Sequence, residues 1–235
     1  MSEIYHVLNR GVDKRKIFLD DKDYLRFIHD LFEFNDENPA NNTFYYQRSQ
    51  NSNTNDVRHR QIINTAKERK PRKLLVDILA FCLMPNHYHI LIKPRREGAL
   101  SLFMKKLDGG YVKYFNTKYE RHGTLFERRY KWVMVKNEAH FNHLPFYIHL
   151  NPLDLISPEW RERKINNYKK ATQFLNKYRW SSHLDYIGTK NFPSVTQREF
   201  LLNFFGREKG YIANMNEWLK DLKSPDDIDK FILLE

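Results

Sequence analysis

Residues 74–93 read LLVDILAFCLMPNHYHILIK. Two apolar runs of strand length, 74–82 and 87–93, flank Met84-Pro85-Asn86, which is short enough to be a tight connection. The pair predicts a hairpin of buried strands. In the second strand, residues two apart face the same way. His87 and His89 therefore share one face and can converge on a single ion, while Tyr88 points to the other face. Neutral imidazole is a common ligand for divalent metals, and two of them leave positions open for a carboxylate, amide, water or substrate oxygen. Such a pair does not by itself define a metal site.

Outward from the hairpin, residues 3–9 suit a strand and Asn9-Arg10-Gly11 a turn. Asp20 or Asp21 caps a helix expected over 21–35, where Tyr24, Phe27, Ile28, Leu31 and Phe32 recur at helical spacing. A second helix is expected over 98–121, ended by Gly123. Trp132–Lys136 then reads as a fourth strand, and Asn137 or Glu138 opens a helix that stops before Asn151-Pro152. The order β-α-β-β-α-β-α predicts an α+β fold: a ferredoxin-like antiparallel sheet with helices on one face.

Two stretches interrupt or follow this pattern. Residues 36–73 turn polar and then basic, with eight Lys or Arg against two acids from 47 to 73; they read as an exposed insertion. Residues 1–155 thus form the expected main domain with its insertion. Residues 156–235 form a mostly helical C-terminal appendage, with helical patterns at 196–206 and 211–222.

Charge narrows the partners. Lys and Arg number 40 against 29 Asp and Glu, a net charge of +11, which favours a polyanion and nucleic acid first. Aromatics make up 15% of the chain. Rings among positive charges suit single-stranded nucleic acid, because bases stack while phosphates pair. The single cysteine, Cys82, rules out an intramolecular disulfide and reads as a small buried residue. The N-terminal residues hold no apolar signal core, and no run of 18 apolar residues occurs. Cytoplasmic placement with no membrane association is the expectation.

A second candidate for chemistry is Tyr147-Ile148-His149-Leu150-Asn151-Pro152. Tyr147 and Asn151 are four apart, on one helix face, where a phenol and an amide can sit beside an ion held by strand histidines. The same residues also suit a core tyrosine followed by an ordinary helix stop. His140 and His143 offer a rival pair, and Tyr111, Tyr114 and Tyr119 are rival nucleophiles by composition. Residues 104–136 carry nine Lys or Arg and seven aromatics, a pattern that fits a packed basic helix or a phosphate-binding surface.

Met84-Pro85-Asn86-His87-Tyr88-His89-Ile90-Leu91 resembles the His-hydrophobic-His motif of the single-tyrosine, HUH-type transposases. Four further stretches are similar to the branch that includes the REP-associated tyrosine transposases. They are Tyr5-His6-Val7 with Asn9-Arg10-Gly11, then Phe115-Asn116 to Gly123-Thr124-Leu125-Phe126 with Arg128-Arg129-Tyr130, then Tyr147 to Pro152, and last Trp180-Ser181-Ser182. Five motifs in matching order span residues 4 to about 187.

The resemblance implies a metal-dependent enzyme that nicks and joins single-stranded or hairpin DNA, usually as a homodimer. It implies Tyr147 as nucleophile, leaving a 5′-phosphotyrosine link. It implies His87, His89 and Asn151 as ligands of Mg²⁺ or Mn²⁺. For DNA contacts the basic residues singled out are Arg10, Lys105, Lys118, Arg128 and Arg129. Pro145 departs from the pattern: inside the expected helix it removes a backbone bond and tends to kink the chain just before Tyr147. Two other functions suit the same composition. One is a catalytically silent protein that binds hairpin or single-stranded nucleic acid; the other is a metal-dependent nuclease that uses water and tolerates loss of Tyr147.

Overall fold

The computed structural model describes residues 3–39, 71–162 and 164–220. Four strands form one sheet in the order β2-β3-β1-β4: β1 is Tyr5–Arg10, β2 Val76–Met84, β3 His87–Pro94 and β4 Lys131–Met134. Every neighbouring pair is antiparallel. Helix α1, Asp21–Glu33, crosses from β1 to β2, and α2, Ala99–Lys118, crosses from β3 to β4. This is the ferredoxin-like arrangement expected from the sequence.

The local causes are legible. Asp20 caps α1 by accepting the Asp23 backbone N–H, and Asp23 returns the contact in a capping box. β2 and β3 read as near-continuous apolar runs because both their faces are covered. On one face, Val7, Phe81, Tyr88 and Ile90 pack against Phe27 and Leu31 of α1 and Phe103 and Leu107 of α2.

The other face is covered too, which differs from the expectation of helices on one side. Helix α3, Glu138–Leu150, lies there and continues unbroken through Pro145. Ala80, Cys82 and Leu91 of the sheet share a core with Leu144, Ile148 and Leu150 of α3, and with Leu175, Tyr186 and Leu201 from the C-terminal elements. Cys82 is fully buried in this layer. The C-terminal elements are two 3-10 turns, Asn151–Leu155 and Pro158–Glu162, then α4 (Tyr168–Leu175), α5 (His183–Tyr186), α6 (Glu199–Phe205) and α7 (Arg207–Lys220). Residues 180–182 run along the outer edge of β2: Leu83 N–H donates to the Trp180 carbonyl and Ser182 N–H to the Phe81 carbonyl.

Most of the polar insertion expected at 36–73 lies outside the described residues. Its two ends are described, and they meet. Glu37 N–H donates to the Lys73 carbonyl at 2.9 Å, and Arg72 lies over the Phe32 ring and donates to the Phe32 and Asn35 carbonyls. Among the described residues, no helix is long and apolar enough to cross a membrane.

Candidate active site

Strand register puts His87 opposite Arg10 and His89 opposite Leu8. Directly opposed residues share a face, so both histidines lie on the α3 side of the sheet. Their rings are 5.0 Å apart, and both are buried. Tyr88 points the other way, as its position in the strand requires. Its hydroxyl donates to Asp108 of α2 at 2.6 Å, and Asn9 donates to the same carboxylate. Burial raises the Asp108 carboxyl to about 6, and the two donors pull the other way.

Each histidine is oriented through its Nδ1. Asn86 donates its amide N–H to the Lys14 carbonyl, so its Oδ1 faces His87 and lies 2.7 Å from Nδ1. An amide oxygen only accepts. The proton of neutral His87 is therefore on Nδ1, and its lone pair is on Nε2. His89 Nδ1 is 2.9 Å from Nε2 of His6, a fully buried side chain on β1. With the proton on His89 Nδ1, its Nε2 also carries a lone pair.

Helix α3 brings Tyr147 beside His89 and its neighbour His6. Asn137 caps the helix by accepting from His140 N–H. The Tyr147 ring stands edge-on to both His6 and His89, with centroids 6.0 Å away in each case. One turn on, Asn151 donates its amide N–H to the Tyr147 carbonyl at 2.9 Å, which fixes the direction of Oδ1. Three residues not singled out from sequence complete the surroundings. Arg161 donates to the Tyr147 hydroxyl and to Asn151 Oδ1, Asp154 holds Arg161, and Trp160 packs 5.9 Å from the Tyr147 ring. No periodicity links a 3-10 turn at 158–162 to a helix ending at 150, so sequence held no signal for them. His6 did carry one, being in the Tyr5-His6-Val7 motif on the central strand.

The basic residues divide. Arg10 is on the histidine face, opposite His87. Arg128 and Arg129 are exposed in the segment beside the end of β1, where Asn9 donates to the Arg128 carbonyl and Glu127 N–H to the Arg10 carbonyl. Lys105 is exposed on α2, across the sheet from the histidines. The Lys118 ammonium lies 2.8 Å from Asp20 and 2.7 Å from Asp23, tying α2 to the cap of α1.

The rival groups have structural partners. Tyr111 donates to the Ile17 carbonyl, and Tyr114 and Tyr119 donate to Asp23. His143 accepts from the Trp218 indole N–H. His149 lies in a buried chain that runs from Ser182 through its ring to the Tyr211 hydroxyl and on to His183.

Comparison with known proteins adds to this geometry. Residues 44–151 match the family model described as "Transposase IS200 like". A solved structure described as "Structure of the REP associates tyrosine transposase bound to a REP hairpin" is similar at 12% identity, over 82% of this chain and 83% of that one, with a TM-score of 0.43. A search of curated proteins gave no match. The matched segment contains the β2–β3 hairpin, His87, His89, Tyr147 and Asn151, and over residues 44–151 this chain is similar to the IS200-like transposases.

Proposed function

We propose that this protein is a single-tyrosine DNA nicking and joining enzyme of the REP-associated type, acting on single-stranded or hairpin DNA with Tyr147 as nucleophile. The observation that carries this reading is the Tyr147 ring edge-on to His89, whose ring lies 5.0 Å from His87, with Asn151 bonded to the Tyr147 carbonyl one turn on.

The donor set fits a hard or borderline divalent ion. His87 and His89 present imidazole lone pairs, and the Asn151 Oδ1 direction is fixed. The third protein ligand in this reading is the Asn151 amide, as the resemblance implies. Bound Mg²⁺ or Mn²⁺ supplies charge neutralisation at the scissile phosphate.

The chain's own residues do the rest. The Tyr147 oxygen attacks phosphorus, and its phenolic proton passes to solvent. A phosphotyrosine bond forms, the P–O3′ bond breaks, and the departing 3′ oxygen takes up a proton. The new ester conserves the energy of the broken one, so a second 3′-hydroxyl can reverse the step and join strands. In this reading Arg10, Arg128 and Arg129 pair with the flanking phosphates. Lys105 is left as a more distant contact. A homodimer with two such sites belongs to the same reading, and sedimentation would test it.

The deciding experiment incubates labelled hairpin and single-stranded DNA with the protein and Mn²⁺ on a denaturing gel. A covalent adduct is expected, lost in Tyr147→Phe and with chelator, and reduced by about 10²-fold or more in His87→Ala and His89→Ala. Cleavage without adduct, unchanged in Tyr147→Phe, would establish the water-using nuclease instead. Binding with neither cleavage nor adduct would establish the silent binder.

A further inference from the structure

The 3-10 turn Pro158–Glu162 lies beyond the matched segment, yet one of its side chains reaches the reacting oxygen. Arg161 is mostly buried, with 19% of its side chain exposed. Its guanidinium makes a fork with Asp154: Nε donates to Oδ1 at 2.8 Å and Nη2 to Oδ2 at 2.6 Å. This fork fixes the plane of the group. The same plane then carries Nη1 to within 3.1 Å of the Tyr147 hydroxyl oxygen and Nη2 to within 3.0 Å of Asn151 Oδ1. Trp160, which donates to Asp154 Oδ1 at 2.6 Å, packs under the guanidinium and beside the Tyr147 ring.

Geometry and charge together assign a role. Arginine has no acceptor, so the Tyr147 oxygen must accept in this bond and its own proton must point elsewhere. A cation held at that oxygen favours the negative charge the oxygen carries into attack on phosphorus. It is placed in advance, because Asp154 and Trp160 hold it before any substrate arrives. The carboxyamide oxygen of Asn151 has two lone pairs and receives only one N–H from Arg161, so it is aimed by the arginine while keeping one lone pair for an ion.

We propose that Arg161 is a catalytic residue that stabilises the Tyr147 oxygen as it attacks and locks Asn151 in the same frame, with Asp154 as its positioning residue. This rests on the nicking reading above. In chemical terms it adds no co-reactant: the phosphotyrosine bond still forms as P–O3′ breaks, and Arg161 keeps its protons throughout. It also gives the C-terminal elements a part in the reaction.

The test measures single-turnover adduct formation across hairpin concentrations for Arg161→Ala, Arg161→Lys and Asp154→Asn, with Mn²⁺ affinity measured calorimetrically without DNA. Arg161→Ala is expected to slow the rate at saturating DNA by about 10²-fold, as loss of one charge-stabilising donor does, with half-saturating DNA within about 3-fold. Added guanidinium ion is expected to restore part of that rate, and Arg161→Lys to restore little, since a point charge lacks the fork. Mn²⁺ affinity is expected to fall about 10-fold, as it does when a ligand loses its orienting partner. Should Arg161→Ala unfold because Asp154 is left without its cation, the Arg161→Ala/Asp154→Ala double variant takes its place. An Ala variant at wild-type rate, or one whose defect lies wholly in half-saturation, overturns the assignment. If wild type itself forms no adduct, the nicking reading has failed. The Mn²⁺ arm then decides whether Arg161 aims Asn151: unchanged affinity overturns that too.

Discussion

Asn86 sits between the two strands of the hairpin and does two jobs with one amide. It donates to the Lys14 carbonyl and turns its oxygen to His87. Replacing it with alanine frees the His87 ring to rotate and to carry its proton on either nitrogen. Asn86→Ala should therefore weaken Mn²⁺ binding about 10-fold by calorimetry while the melting temperature stays close to wild type; unchanged affinity would show that the ring is held by packing alone. At this scale the sequence was partly legible. The period of a strand placed His87, His89 and Tyr88 on their correct faces, and helical spacing stacked Asn151 on Tyr147. The ion pairs of Lys118 were not legible, because a charge run does not reveal which cations have buried carboxylates beside them. Asp23, fully buried, accepts from Lys118, Tyr114 and Tyr119, and that convergence exists only in three dimensions.

Among elements, α3 is the one whose surroundings differ from expectation. A helix facing a sheet on one side and water on the other shows a polar stripe; α3 from Leu144 to Leu150 is buried at every position. A helix apolar all round is a buried helix, and LPFYIHL carries no acidic side chain and no Lys or Arg. The second covering layer was thus announced in composition, though not what supplied it. That layer is held to the sheet through Ser182, whose hydroxyl accepts from the Phe81 N–H at 2.9 Å and lies 2.7 Å from His149. Ser182→Ala leaves a buried backbone donor and a buried ring nitrogen without this partner. Urea denaturation should show a loss of about 1–3 kcal/mol, with adduct formation under native conditions retained. A loss within a few tenths of a kcal/mol would mean that the edge is secured elsewhere.

For the molecule as a whole, acid is the sensitive direction. Burial pushes His183 from 6.5 down to about 4, and His149 is also lowered by burial and by His183 beside it. One set of protons satisfies the chain they form: His183 Nε2 donates to Asn176, Tyr211 donates to His183, and His149 donates to Tyr211. The folded state refuses protons that the unfolded chain accepts below pH 6.5. The stability is therefore complete above 6.5 and is lost as pH falls toward 4. For His183 alone the shift corresponds to about 3 kcal/mol. The melting temperature should be level above pH 7 and fall across the window from 6.5 to 4. In His183→Asn, that slope should lessen; an unaltered slope would place the acid sensitivity in other groups. The fold of the sheet was open to sequence because each strand and helix announces its own period. The union of two cores on one sheet was not, because contacts between residues 79–91 and 175–219 leave no periodic trace.

The meeting of Glu37 and Lys73 has a consequence for how such a chain can change over time. Strand order and histidine placement depend on where the polypeptide re-enters at Lys73, and that point is fixed from both sides by Arg72 and by the backbone bond to Glu37. The entropy of closing the chain between two such ends grows with the logarithm of its length, about 0.6 kcal/mol per doubling. A change of length at this junction therefore costs little in entropy, while the two anchored ends keep the place at which the chain re-enters the sheet.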